Sequence, residues 1–349
     1  MRAGCYTALA TPFTSNGEAV DYEGLERLID FQIKSGITGI LAVGTTGESC
    51  TLTWDEHNKT VEITAKKTKN KCACIAGAGS NNTKESIEAA MHAMHAGVDS
   101  ILLVDPYYNG PSSLEIRREY IEPVAKAFPS LTIIPYVIPG RTGAQMFPED
   151  LAIAYRNCPN VKVVKEATGN LDNMRKTRKC CGDDFLIFSG DDGLTFEMMT
   201  DPQIKASGII SVASNIVPGP ITRMTELLAE GTDTAKNEAE KIMNSVMPLF
   251  DIVTVVTKEN TPFGEVTCRA RNPLGLKTLM NILGMPSGPC RQPLGKMTKQ
   301  GIDKLINIAK KVQTENPAVL KPVAEFFNTD ISARLNDDSI IKALIYQEY

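Results

Sequence analysis

Eight short apolar runs, at residues 5–10, 39–43, 72–76, 100–104, 132–137, 161–165, 185–188 and 208–212, each end in a polar or glycine-rich cluster and alternate with stretches of helical period. After the first run Leu25, Leu28, Ile29 and Ile33 share one helix face, with Asp21 placed as N-cap and Gly36 as the stop. After the third, Thr83 is the expected N-cap, Ile87, Ala90, Met91 and Met94 form the stripe, and Gly97 closes it. Runs this continuous have both faces buried, as in parallel sheets covered by helices. Eight strand–helix units point to a closed α/β barrel, the (β/α)8 TIM barrel. An open doubly wound sheet is the alternative, but no G-x-G-x-x-G follows the first run and no G-x-x-x-x-G-K-[ST] occurs.

Past the eighth run the pattern predicts helices only, at about 222–249, 274–283 and 298–312, with Pro262, Gly264 and Asn272-Pro273 marking an exposed loop. The expected division is a barrel over 1–230, a C-terminal helical subdomain over 231–315 and an extension over 316–349. That extension ends in a short apolar helix with Ile340, Ile341, Leu344 and Ile345, and no job follows from its sequence.

Composition excludes several function classes. With 42% hydrophobic and 22% charged residues in 349, the chain has material for a large core. A net charge of -4 and no long basic run argue against nucleic acid as partner. No apolar stretch approaches the roughly 18 residues of a membrane helix, and the start, Met1 to Tyr6, has no signal core, so a cytoplasmic protein or an organelle form is expected. The nine cysteines lack the paired spacing of a zinc site; Cys72, Cys74, Cys180 and Cys181 read as reduced thiols packed as small hydrophobes.

In a β/α barrel the chemistry sits at the C-terminal strand ends. Here those ends carry Gly44-Thr45-Thr46-Gly47-Glu48, Pro106-Tyr107-Tyr108-Asn109, Tyr136 followed by Pro139-Gly140-Arg141-Thr142-Gly143, then Lys165, then Gly190-Asp191-Asp192. Period two puts Lys165 on the face of Val161 and Val163, with Glu166 on the other. If that face is the interior, desolvation favours the neutral, nucleophilic amine; moving a lysine pKa from about 10.4 to ~7–8 corresponds to roughly 3–4 kcal/mol. The bland alternative is a strand-end lysine that reaches solvent or pairs with an acid. Tyr136, on the neighbouring strand, suits proton transfer, though a core aromatic with a satisfied hydroxyl would look the same.

Thr45 and Thr46 offer hydroxyls for a carboxylate, or merely make an ordinary turn, and Arg141 offers a planar fork, or a solvated loop residue. His92 and His95 could suggest a metal pair, yet no further ligand completes a set, so no metal is expected. Asp191 and Asp192 could be paired acids, but adjacent residues point apart.

Taken together, GTTGES, PYYN, YVIPGRTG, VVKEATGN and SGDD, in this order within residues 4–312, resemble the dihydrodipicolinate synthase / N-acetylneuraminate lyase family of pyruvate-dependent aldolases. The resemblance implies that Lys165 forms a covalent imine with pyruvate, with no metal or organic cofactor. It implies that Tyr136 is the central acid/base, with Thr46 and Tyr108 from a neighbouring subunit completing a proton relay. Thr45 and Thr46 would hold the pyruvate carboxylate, with Gly190 and Ile210 lining the pocket.

Arg141 in GRTG is similar to the branch that condenses pyruvate with L-aspartate 4-semialdehyde to 4-hydroxy-tetrahydrodipicolinate, in lysine (diaminopimelate) biosynthesis. Alternatives are a lyase for N-acetylneuraminate or keto-deoxy sugar acids, and a silent barrel that binds a keto acid or lysine. The family's feedback site maps onto Ser49, Trp54, His57, Asn81, Glu85 and Tyr107, which implies L-lysine as inhibitor; a homotetramer is also implied. Departures from the pattern are Pro135, which could force a bulge beside Tyr136, Val137, and the added lengths at 258–271 and after 316.

Overall fold

A computed structural model describes residues 1–348. Strands β1 (Gly4–Ala8), β2 (Gly39–Ala42), β3 (Ala73–Gly77), β4 (Ser100–Val104), β5 (Thr132–Val137), β6 (Val163–Glu166), β7 (Leu186–Ser189) and β8 (Gly208–Ser211) form a closed barrel. Each pairs in parallel with the next, and β8 returns to β1. The alternation explains why both faces are apolar. Tyr6, Leu41, Ile75, Leu102, Ile134, Val163, Phe188 and Ile210 fill the interior. Their neighbours Ile40 and Ile209, and Cys74, Ile101, Ile133, Val164 and Ile187, pack outward under the helices.

Several expectations are corrected at this level. Val161 does not share the interior face of Val163; it precedes β6 in a turn closed by its N–H to Cys158 O, so strand alternation starts two residues later. The helix Thr83–Ala96 is capped by Asn82, whose side chain accepts from Lys84 N, while the Thr83 hydroxyl donates to Glu119 O. Its buried stripe is Ser86, Ala89, Ala90 and Ala93, small residues that let the helix lie close, and Met91 faces solvent. Asp21 and Gly36 do bound the helix Tyr22–Lys34, with Asp21 accepting from Gly24 N and Gly36 at φ 80°.

Pro135 makes no bulge. Leu103 pairs with Pro135 and Val104 with Tyr136 in unbroken register, and the β5–β6 ladder begins only at Tyr136, past the proline. The stretch 222–249 is three pieces, Pro218–Glu230, Asp233–Val246 and the 3-10 turn Met247–Val253. The first break falls at Gly231, φ 71°, after which Thr232 caps the next helix by accepting from Ala235 N.

The exposed loop is a β-hairpin. Strands β9 (Thr254–Thr261) and β10 (Gly264–Arg271) pair antiparallel along their full length around Pro262-Phe263. The β-branched run Thr254-Val255-Val256-Thr257 and the pair Val266-Thr267 favour strand over loop. Val255 and Thr257 are buried, and Lys304 and Gln300, from the helix Lys299–Glu315, donate to Val256 O and Lys258 O. The extension also has a place: Phe326 and Phe327 each lie 5.2 Å from Phe31, Arg334 donates to Asn281 O and Ile282 O, and Ile345 bridges Met297. Leu344 and Ile345 follow the helix Asp338–Ala343 instead of ending it. Among the described residues no helix is long and apolar enough to cross a membrane.

Candidate active site

Lys165 sits at the top of β6 directly across the ladder from Tyr136 on β5. Both side chains are 4% exposed, and the lysine Nζ lies 4.3 Å from the centre of the tyrosine ring. Burial lowers the Lys165 pKa to about 7; a nearby Asp192 charge opposes the fall and Arg141 adds to it. Burial also raises the Tyr136 phenol to about 12, Arg141 pulling the other way, so the hydroxyl stays a proton donor at neutral pH. An amine with a substantial neutral fraction at pH 7 thus stands against a protonated phenol. That pairing can add to a carbonyl carbon and supply the proton with which the resulting hydroxyl leaves as water.

The pair opens into a cavity of about 640 Å³, lined by Thr45, Thr46, Arg141, Gly190, Asp191 and Asp192 among others. Asp192 is buried: its carboxylate accepts from the Ser211 hydroxyl, Val212 N (3.0 Å) and Ala213 N (3.2 Å). Burial nevertheless raises its pKa. Asp191 behaves differently, accepting from Gly193 N to close a turn, so the two acids have separate tasks. Arg141 is exposed at the mouth and donates to Asn272 O (3.1 Å), yet the walls desolvate its guanidinium enough to lower its pKa. Gly190 is required by space: a Cβ there would lie 2.8 Å from Ala167 Cβ and 3.2 Å from Lys165 Cε.

The Gly44–Glu48 turn is strained. Val43 and Glu48 both adopt positive φ, 49° and 54°, which β-branched residues in particular avoid. Room for this comes from Gly77, where a Cβ would stand 2.3 Å from Val43 O. Buried Thr46 accepts from Asn272 Nδ2 (3.0 Å), while Thr45 is half-buried in the cavity wall. Ile210 belongs to the interior packing, and Val212 reaches the cavity instead. Tyr108 is 86% exposed and is not among the residues that line the Lys165 cavity.

Ser49 and Tyr107 line an adjoining cavity of about 460 Å³ that shares Thr45, Tyr136 and Arg141 with the first. Around it, Asn81 accepts from Tyr107 N, the Tyr107 hydroxyl meets Cys50 Sγ at 3.4 Å, and Glu85 accepts from the Ser80 hydroxyl. His57 Nε2 bonds Gly77 O at 2.9 Å and its ring stands 5.1 Å from that of half-exposed Trp54. His92 pairs with Glu62 at 3.3 Å, and no group of three or more His, Cys, Asp or Glu suited to a metal occurs among the described residues.

Sequence reasoning missed Asn272, which ties the Thr46 turn to the Arg141 loop, and Arg269 and Arg271, which line the mouth. The one signal available was the β-branched enrichment at 254–257 and 266–267, before Asn272-Pro273.

The sequence profile of the dihydrodipicolinate synthetase family matches residues 1–312. The 4-hydroxy-tetrahydrodipicolinate synthase of Sulfurihydrogenibium sp. (strain YO3AOP1) is 38% identical over 315 residues, covering 89% of this chain and 98% of that protein. Among solved structures, the 4-hydroxy-tetrahydrodipicolinate synthase of Methylacidiphilum fumariolicum SolV superposes with a TM-score of 0.82 at 33% identity, over 92% of this chain and 99% of the other. The dihydrodipicolinate synthase of Cyanidioschyzon merolae with lysine bound gives 0.79 at 35%, over 89% and 98%.

Proposed function

The chain belongs to the dihydrodipicolinate synthetase family, and from that premise we propose that it is a 4-hydroxy-tetrahydrodipicolinate synthase, a lyase that condenses pyruvate with L-aspartate 4-semialdehyde in lysine biosynthesis. The observation that carries the reading is the buried Lys165 amine, its pKa near 7, held against the Tyr136 ring at 4.3 Å in a cavity.

The chemistry follows from that pair. The Lys165 lone pair attacks the ketone carbon of pyruvate, whose carboxylate is taken by Thr45 and Thr46. Tyr136 gives the proton with which the carbinolamine oxygen leaves as water, and an imine forms. The iminium nitrogen draws electrons from the adjacent methyl group, which loses a proton to become an enamine carbon nucleophile. That carbon attacks the aldehyde, Arg141 holding the acceptor's carboxylate. The acceptor's amine then attacks the imine carbon, closes the ring and releases Lys165. A second copy of the chain would bring its own Tyr108 into the proton relay, in keeping with a homotetramer.

Borohydride reduction with pyruvate tests the first half: a mass gain of one reduced pyruvyl group on Lys165 is expected. A panel of aldehyde acceptors tests the second, with aspartate semialdehyde consumed fastest. An adduct with no condensation on that aldehyde, or cleavage of N-acetylneuraminate instead, would sink the assignment.

The Cyanidioschyzon merolae relative carries bound lysine, and Ser49 and Tyr107 line the cavity beside the active site here, with Asn81 accepting from Tyr107 N. We propose that L-lysine inhibits there, with Glu85 meeting its ammonium. Unchanged activity at saturating lysine counts against this.

A further inference from the structure

The mouth of the Lys165 cavity is walled on one side by the β9–β10 hairpin, and the hairpin's register decides what it presents. Arg269 pairs with Val256 and Arg271 with Thr254, and all four residues line the cavity. They occupy one face of the ribbon, because period two sends Val255 and Thr257 the other way, into the protein. That buried face and the bonds from Gln300 and Lys304 fix the ribbon, so its arginines are carried on an anchored element.

Arg271 Nη1 donates to Gly140 O (3.1 Å), one residue before Arg141, whose own Nη2 donates to Asn272 O (3.1 Å), one residue after Arg271. The two loops are laced together through their guanidinium groups. These bonds to neutral carbonyls use little of either five-donor fork. No carboxylate lies within ion-pair distance of Arg141, Arg269 or Arg271 among the described residues, whereas Arg117, Arg175 and Arg291 are each paired. Like charges gathered on one cavity wall without counter-ions are stabilised by an anionic ligand, and a planar fork matches a carboxylate. The acids Asp191 and Asp251 also line this cavity and suit an ammonium on the same ligand.

We propose that Arg269 and Arg271 form, with Arg141, an entrance subsite that binds the carboxylate of the acceptor aldehyde and selects acceptors bearing one. This rests on the aldolase reading above and adds to it a specificity device built from the hairpin. In the full-length protein, R269Q/R271Q should raise KM for the carboxylate-bearing acceptor about tenfold, with kcat changed by less than about twofold. KM for pyruvate and borohydride trapping on Lys165 should stay as they were. A short aldehyde without a carboxylate should react equally poorly with both proteins. R269K/R271K, which keeps the charge and loses the fork, should fall between them.

An unmoved acceptor KM, or an equal loss with the uncharged aldehyde, overturns the subsite while leaving the aldolase intact. Failure of the unaltered protein to form a Lys165 adduct overturns the aldolase reading and the subsite with it. A melting curve unchanged in R269Q/R271Q assigns any kinetic loss to binding; if that protein melts early, the charge-keeping R269K/R271K decides.

Discussion

Lys165 and Lys277 are both buried, at 4% and 1% exposure, and both stand beside an aromatic ring, Tyr136 at 4.3 Å and Phe13 at 4.1 Å. Burial lowers the pKa of each. What separates them is acceptors. Lys277 Nζ donates to Glu48 Oε1 (2.6 Å), Thr11 O (3.0 Å) and Pro289 O (3.0 Å). Three acceptors call for three N–H groups, so this amine is an ammonium, and the Glu48 charge opposes the effect of burial. Lys165 has no such set, and the carboxylate whose charge opposes its burial, Asp192, is already engaged by Ser211, Val212 and Ala213. Burial alone therefore does not make a nucleophile; burial without acceptors does.

That contrast can be broken in graded steps. Lys165→Met should cut condensation by at least roughly 10³-fold while leaving the melting transition near its original place. Residual activity close to that of the unaltered protein would move the chemistry elsewhere. Lys277→Met should do the reverse, costing about 3–5 kcal/mol in urea unfolding because Glu48 is left charged and buried, and Glu48→Gln in the same chain should return part of it. A stable Lys277→Met protein with unchanged unfolding would show that the pair holds nothing.

Gly190→Ala is a milder perturbation: its new Cβ presses on Ala167 and on the Lys165 Cε, and a displaced amine should lower kcat about 10- to 100-fold. Full activity would show that the strand ends yield more than the packing suggests.

The smallest effect is on pH. Lys165 has a folded-state pKa below the ordinary value of 10.5, so its neutral form gains population as pH rises through about 7. Pyruvate trapping should therefore rise about tenfold between roughly pH 6 and pH 8 and then level off, since Tyr136 keeps its proton to about 12. A limb near pH 10 would mean that the amine is as solvated as a surface lysine.

Much of the barrel was legible because its signals are local. Strand runs such as 100–104 and 132–137 coincide with β4 and β5 to the residue, and Lys165 opposite Tyr136 follows from two adjacent strand ends. The failures were also local in cause. Period two carried back past the true start of β6 puts Val161 in the interior, and at 82–83 two capping residues stand side by side, so the local pattern does not choose Asn82 over Thr83. The hairpin was hidden by its own turn residues, Pro262 and Gly264, which mark a loop as readily as a two-residue connection.

The sequence by itself determined the number and order of the strands and the identity of the residues at their ends, because apolar period and strand-end chemistry are written in neighbouring positions. Only the tertiary structure decided which buried lysine is left without acceptors. The groups that satisfy Lys277 come from residues 11, 48 and 289, and those that occupy Asp192 come from residues 211 to 213. Hydrogen-bond satisfaction in the interior depends on groups remote along the chain, and no pattern within one segment encodes it.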